Sequence, residues 1–97
     1  MPDYTIKDDR TDADKAVTIG FVVATDTALS RWGGAKGGRS IVARPVRDRE
    51  EYDRVVALFE DRDDFKRVRY ASGSAYKPRL HSGDHLHIYG FDTFNYQ

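Results

Sequence analysis

Residues 16–25 read Ala-Val-Thr-Ile-Gly-Phe-Val-Val-Ala-Thr, an uncharged run in which both alternating sets of side chains are apolar or small. Val17, Ile19, Phe21 and Val23 fall on one face; Thr18, Gly20, Val22 and Ala24 fall on the other. Alternation with period two predicts a β-strand. A strand with so little polar surface on either face suits the centre of a sheet. The chain has 97 residues, enough for one domain with a thin core.

The remaining elements follow from shorter signals. Residues 1–15 lack apolar periodicity apart from Tyr4 and Ile6 and read as a mobile arm or a short edge strand, Tyr4–Lys7, ahead of a single domain over 16–97. Residues 26–39 read as a loop, since Gly33, Gly34, Gly37 and Gly38 fall within six positions. Ser40–Val46 reads as a second strand, with Ile41 and Ala43 opposed to Val42. Pro45 lacks an N–H donor, which predicts that this strand lies at an edge or ends there. Asp48, with Glu51 three residues on, predicts a capped helix over Arg49–Glu60, carrying Tyr52, Val55, Val56 and Phe59 on one face. Phe65–Ala71 and His85–Gly90 read as further strands, separated by a loop over Ser72–Gly83, and the aromatic tail Phe91–Gln97 is expected to pack back on the domain. The order β-β-α-β-β predicts an α+β fold: a four-stranded, mostly antiparallel sheet with one helix on one face.

Composition restricts the function classes. There are no cysteines, which removes disulfides, thiolate metal sites and thiol nucleophiles. No apolar run reaches the length of a membrane span, and the acidic N-terminus is unlike a signal peptide, so the expected compartment is the cytoplasm. Sixteen basic and sixteen acidic residues give zero net charge, but they are segregated. Residues 31–47 carry Arg31, Lys36, Arg39, Arg44 and Arg47 and no acid; residues 65–81 carry Lys66, Arg67, Arg69, Lys77 and Arg79 and no acid. Between them, residues 48–64 carry eight acids and three bases. Such a surface can hold a local anion, unless the acidic block neutralises a basic one within the fold.

At Ala24–Ser40 the chain reads Ala-Thr-Asp-Thr-Ala-Leu-Ser-Arg-Trp-Gly-Gly-Ala-Lys-Gly-Gly-Arg-Ser. This resembles a family of small proteins encoded by phages, plasmids and conjugative elements, which share Ala-Thr-Asp followed by Ser-x-Trp-Gly-x-Ala-x-Gly. Arg62-Asp63-Asp64-Phe65-Lys66 and Tyr76-Lys77-Pro78-Arg79 resemble two further segments of that family, so the likeness spans roughly residues 17–90. Arg31 stands where the family commonly has glycine, which makes this loop stiffer and more basic. The resemblance implies an accessory role in a mobile element and no particular mechanism.

Several motifs bear on chemistry. Gly33–Ser40 is one substitution from a phosphate-loop pattern, but Ile41-Val42 predicts a strand where that motif needs a helix, which argues against an NTPase site. The same loop, with Arg31, Lys36, Arg39 and the indole of Trp32, could hold a phosphodiester backbone and stack on a base. For Trp32 alone the favoured reading is an anchor of the core, with the glycines letting the chain turn over it. Lys66, Arg67, Arg69, Tyr76, Lys77 and Arg79 interleave cations with aromatics, a second surface suited to nucleic acid. The competing reading of that strand is an edge guarded by charge against aggregation. His85 and His87 project from one strand face near His81 and Asp84, short of the ligands a metal site needs. Asp26 and Ser30 with a histidine show no hydrolase pattern.

The expectation is a non-enzymatic binding protein without cofactor or metal. Its expected partner is nucleic acid or a host nucleoprotein complex, the latter making it an inhibitor of the anti-CRISPR sort. The expected contact residues are Arg31, Trp32, Lys36, Arg39, Lys66, Arg67, Arg69, Tyr76, Lys77 and Arg79, with no catalytic residue. No membrane contact is expected, and the acidic helix face leaves a homodimer open. The alternative is a small enzyme dependent on histidine or metal.

Overall fold

The computed structural model describes residues 4–27 and 39–92. Five strands form one mixed sheet: β1 (Thr5–Asp8), β2 (Gly20–Asp26), β3 (Ser40–Val46), β4 (Phe65–Ser72) and β5 (His85–Ile88), in the spatial order β1-β5-β3-β2-β4. Among the described residues two helices accompany it, α1 (Asp12–Val17) and α2 (Arg49–Glu60). The α+β class therefore holds. The sheet has five strands rather than four, and β5 runs parallel to both β3 and β1.

The apolar run forms β2, flanked by β3 and β4 in antiparallel register. Its two faces enter two cores. Val22 and Ala24 join Val42, Val46, Val55, Phe59 and Phe65 beneath α2. Phe21 and Val23 join Ile41, Ala43, Leu86 and Ile88 on the opposite face, where Tyr76 and Leu80 pack. The segment after β4 thus does the covering work that a second helix does in larger sheets. The run begins as a strand later than its periodicity predicts: Ala16 and Val17 close α1, and Val17 and Ile19 are about half exposed. Thr11 caps α1 reciprocally with Asp14, and the Thr18 hydroxyl bonds the Asp14 carbonyl at 2.7 Å, so local polar bonds override the alternation there.

Pro45 is buried in an internal strand, not at an edge. β5 ends at Ile88, opposite Ala43, so Pro45 lies beyond the reach of that ladder and its missing N–H breaks no bond to β5. Within residues 1–15, Thr5–Asp8 is the edge strand, shifted one residue from the predicted Tyr4–Lys7.

α2 spans the predicted residues, with Val55 and Phe59 buried, Tyr52 and Val56 packed beside them, and the Asp48 carboxylate accepting from the Glu51 N–H at 2.7 Å. The second half of the expected capping box is displaced. Glu51 reaches back to the N–H of Arg47, at 2.7 Å, rather than to that of Asp48.

β4 carries a bulge. Val23 pairs with Arg69 and Thr25 with Lys66, so Arg67 and Val68 together oppose Ala24, and Arg67 takes φ 56°. The extra residue resets the alternation and brings both Phe65 and Val68 onto the α2 face, three positions apart. Simple alternation of Arg67 with Arg69 on one face is accordingly interrupted.

Candidate nucleic-acid interface

The two basic segments differ sharply in what their cations meet. In the first, Arg39 is held by Asp84. The Asp84 carboxylate is 2% exposed and accepts from the Arg39 backbone N–H at 2.9 Å, from its guanidinium at 2.7 Å, and from the His81 N–H at 2.8 Å. The Arg39 guanidinium and these backbone donors hold the Asp84 carboxyl far below the usual carboxylate range despite its burial. Arg44 and Arg47 converge on Glu51, at 3.4 and 2.9 Å, and both guanidinium groups lie over the Phe91 ring. Burial pushes the Glu51 carboxyl up. Bonds from the Arg47 side chain and backbone, with the charges of Arg44 and Arg47, outweigh it, so Glu51 ionises below its ordinary range. This is the intramolecular neutralisation weighed from the charge pattern, realised by one residue of the acidic block and by Asp84.

The second segment is different. Among the described residues, Arg39, Arg44, Arg47, Arg49 and Arg62 each meet a carboxylate. Among the described residues none of Lys66, Arg67, Arg69, Lys77 and Arg79 forms an ion pair, and all but Arg69 are exposed. Arg69 is half-buried and donates to the Arg67 carbonyl at 2.8 Å. Lys66, Arg67 and Arg69 sit on β4, whose outer edge is unpaired among the described residues. Lys77 and Arg79 sit on the segment that crosses the sheet face opposite α2. Tyr76 is spent on packing: its ring lies 5.9 Å from that of Phe21. It is partly buried, with one side of the ring turned to the core cluster.

Both ends of the glycine-rich segment are fastened at one end of the sheet. The Thr27 N–H and hydroxyl donate to the Asp64 carbonyl at 2.8 and 2.9 Å, and Arg39 is tied to Asp84. Lys66 opposes Thr25 at this same end, and the Arg39 guanidinium reaches the Arg79 carbonyl at 3.5 Å. Arg31, Trp32 and Lys36 lie outside the described residues, as does Ser30.

His85 and His87 share one face of β5, because Leu86 and Ile88 occupy the other. His87 Nε2 lies 2.6 Å from Asp9 Oδ2, and its ring stacks on Tyr89 with centroids 3.8 Å apart. His81 contributes its backbone to the Asp84 turn. No group of three or more potential metal ligands comes together among the described residues. A cleft of about 280 Å³ lies between Ile19, Val46, Tyr52 and Tyr70 at the start of α2.

Sequence reasoning missed Asp84, Glu51 and Asp9. Each is a carboxylate whose partner lies far away in the chain or was assigned to another role. Only the spacing of Asp48 and Glu51 was a usable signal. No helix among the described residues is long and apolar enough to cross a membrane. No protein-family model, curated protein or solved structure matches the chain.

Proposed function

We propose that this chain is an accessory binding module of the mobile-element type that contacts nucleic acid, or a host complex holding nucleic acid, through Lys66, Arg67, Arg69, Lys77 and Arg79. The observation that carries this reading is the contrast in ion pairing: five cations that meet no carboxylate among the described residues, in a chain that pairs every described arginine of residues 39–62 except Arg54. Unpaired cations keep their charge available for phosphate oxygens, and phosphate contacts dominate affinity for nucleic acid. With Tyr76 partly buried against Phe21, the exposed cations favour contacts to the phosphate backbone over stacking on bases. Arg31, Trp32 and Lys36 lie outside the described residues and join the proposed contact set on the sequence alone. Arg39 serves to fasten that segment. Engagement of a host defence complex through the patch would make the protein an anti-CRISPR-like inhibitor.

The test is fluorescence anisotropy with labelled duplex and single-stranded oligonucleotides. Lys66→Ala/Arg67→Ala and Lys77→Ala/Arg79→Ala should each weaken binding by roughly tenfold or more at low salt, with unchanged thermal melting. Unchanged affinity in both pairs overturns the assignment. One observation favours a second reading, a small histidine-dependent enzyme: the Asp9–His87 pair.

A further inference from the structure

We propose that the sheet face beside α2 is a phosphodiester-cleaving site for RNA, with His87 as base, His85 as acid and Lys7 as the stabilising cation. The proposal rests on the reading that the chain binds nucleic acid. α2 packs against β2, β3 and β4 and, among the described residues, the same face of β5 and β1 carries the polar side chains Thr5, Lys7, His85 and His87. Leu86 and Ile88 point into the opposite core, so His85 and His87 project here, two residues or ~7 Å apart along the strand. The parallel register sets Lys7 beside His87, and Thr5 and Ser40 beside His85, one strand spacing or ~5 Å away. Thr5, Lys7 and His85 are exposed.

Asp9 gives the histidines different roles. Its carboxylate holds His87 Nε2 at 2.6 Å, where that nitrogen donates, which leaves Nδ1 as the acceptor. The stack on Tyr89 fixes the ring plane. An imidazole so oriented is a general base, while exposed His85 has no carboxylate partner among the described residues and serves as the proton donor. RNA supplies its own nucleophile. His87 takes the 2′-hydroxyl proton, the 2′-oxygen bonds to phosphorus, and the bond from phosphorus to the 5′-oxygen breaks. His85 protonates the departing 5′-oxygen, and the products are a 2′,3′-cyclic phosphate end and a 5′-hydroxyl end. Lys7 faces the negative charge that builds on the phosphoryl oxygens. Asp9 is a positioning residue.

The experiment incubates the untagged full chain with end-labelled single-stranded RNA and with DNA of the same sequence, in EDTA, and records binding by anisotropy in the same samples. RNA is cut to cyclic-phosphate ends and DNA is not. His85→Ala and His87→Ala each slow cleavage by about 100-fold or more. Lys7→Ala slows it as well. His85 and Lys7 are exposed, so these variants keep the test sound if His87→Ala folds poorly. Asp9→Asn lowers kcat and leaves KM unchanged. Three results overturn the proposal: RNA that is bound but intact, DNA cut as fast as RNA, or cleavage undiminished in His85→Ala/His87→Ala protein prepared in parallel. RNA neither bound nor cut overturns the binding reading as well.

Discussion

Replacing Asp84 with Asn tests whether a buried carboxylate fastens the end of the glycine-rich segment to the sheet. The native carboxylate accepts from three backbone or guanidinium donors at 2.7–2.9 Å and more weakly from Arg39 Nε at 3.4 Å. Asparagine keeps one acceptor oxygen and turns an amide donor toward the other donors. Hydrogen bonds to charged groups are each worth about 1.5–3 kcal/mol, and losing one partner of a buried pair costs up to ~5 kcal/mol. The Arg39 side chain is 37% exposed, so water recovers part of its loss. The expected net cost is about 2–3 kcal/mol, equivalent to a fall in Tm of roughly 10–20 °C for a domain of this size. Urea unfolding at pH 7 should show a lower midpoint with an unchanged slope. Because the native carboxyl ionises well below its unfolded value of ~3.9, the stabilisation is complete above that value and is lost as pH falls toward the native one. The gap between parent and Asp84→Asn should therefore narrow below about pH 4. A cost under ~0.5 kcal/mol at pH 7, or a gap independent of pH, would refute the latch.

Three further outcomes are expected. Phe59→Ala empties the core beneath α2 against Phe65 and should cost about 3–5 kcal/mol by denaturant titration. Gly20→Ala places a Cβ 2.1 Å from the Tyr70 hydroxyl oxygen, so the ring must swing off Tyr52. Its cost should be about 1–2 kcal/mol and should largely vanish in a Tyr70→Ala background, a non-additivity that a double-mutant cycle reads directly. Glu51→Gln removes the charge that Arg44 and Arg47 share and should destabilise by about 2–4 kcal/mol at pH 7, with the deficit shrinking in acid because the native carboxyl is depressed.

The periodic elements were legible because their side chains alternate against two real cores. β2, β3 and α2 stand where Val22, Phe21, Ile41, Val42, Val55 and Phe59 put them. β1 was barely legible: all four of its residues are exposed, and its parallel pairing with β5 depends on backbone bonds that leave no pattern. The parallel pairing of β5 with β3 was missed for a different reason: Leu86 and Ile88 are buried and alternate, but alternation does not fix strand direction. The cover over Phe21 and Leu86 was illegible too, since Tyr76 and Leu80 are isolated apolar residues in a segment without periodicity. Within the candidate site, the charge blocks were visible but their partners were not. Nothing local distinguishes Arg39, tied to Asp84 across 45 positions, from Lys77, which meets no carboxylate among the described residues. The bulge at Arg67 left one trace in the sequence, the spacing of three between Phe65 and Val68.

The central claim is that unpaired cations on β4 and the segment after it hold a polyanion, and salt dependence tests it most directly. Each neutralised phosphate releases condensed counterions, so four contacts from Lys66, Arg67, Lys77 and Arg79 predict a log–log slope of affinity against salt of about −3 to −4 on duplex DNA. Lys77→Ala/Arg79→Ala should flatten that slope by about 2. Binding whose affinity ignores salt, or whose slope is the same in the parent and in Lys77→Ala/Arg79→Ala, would contradict the account.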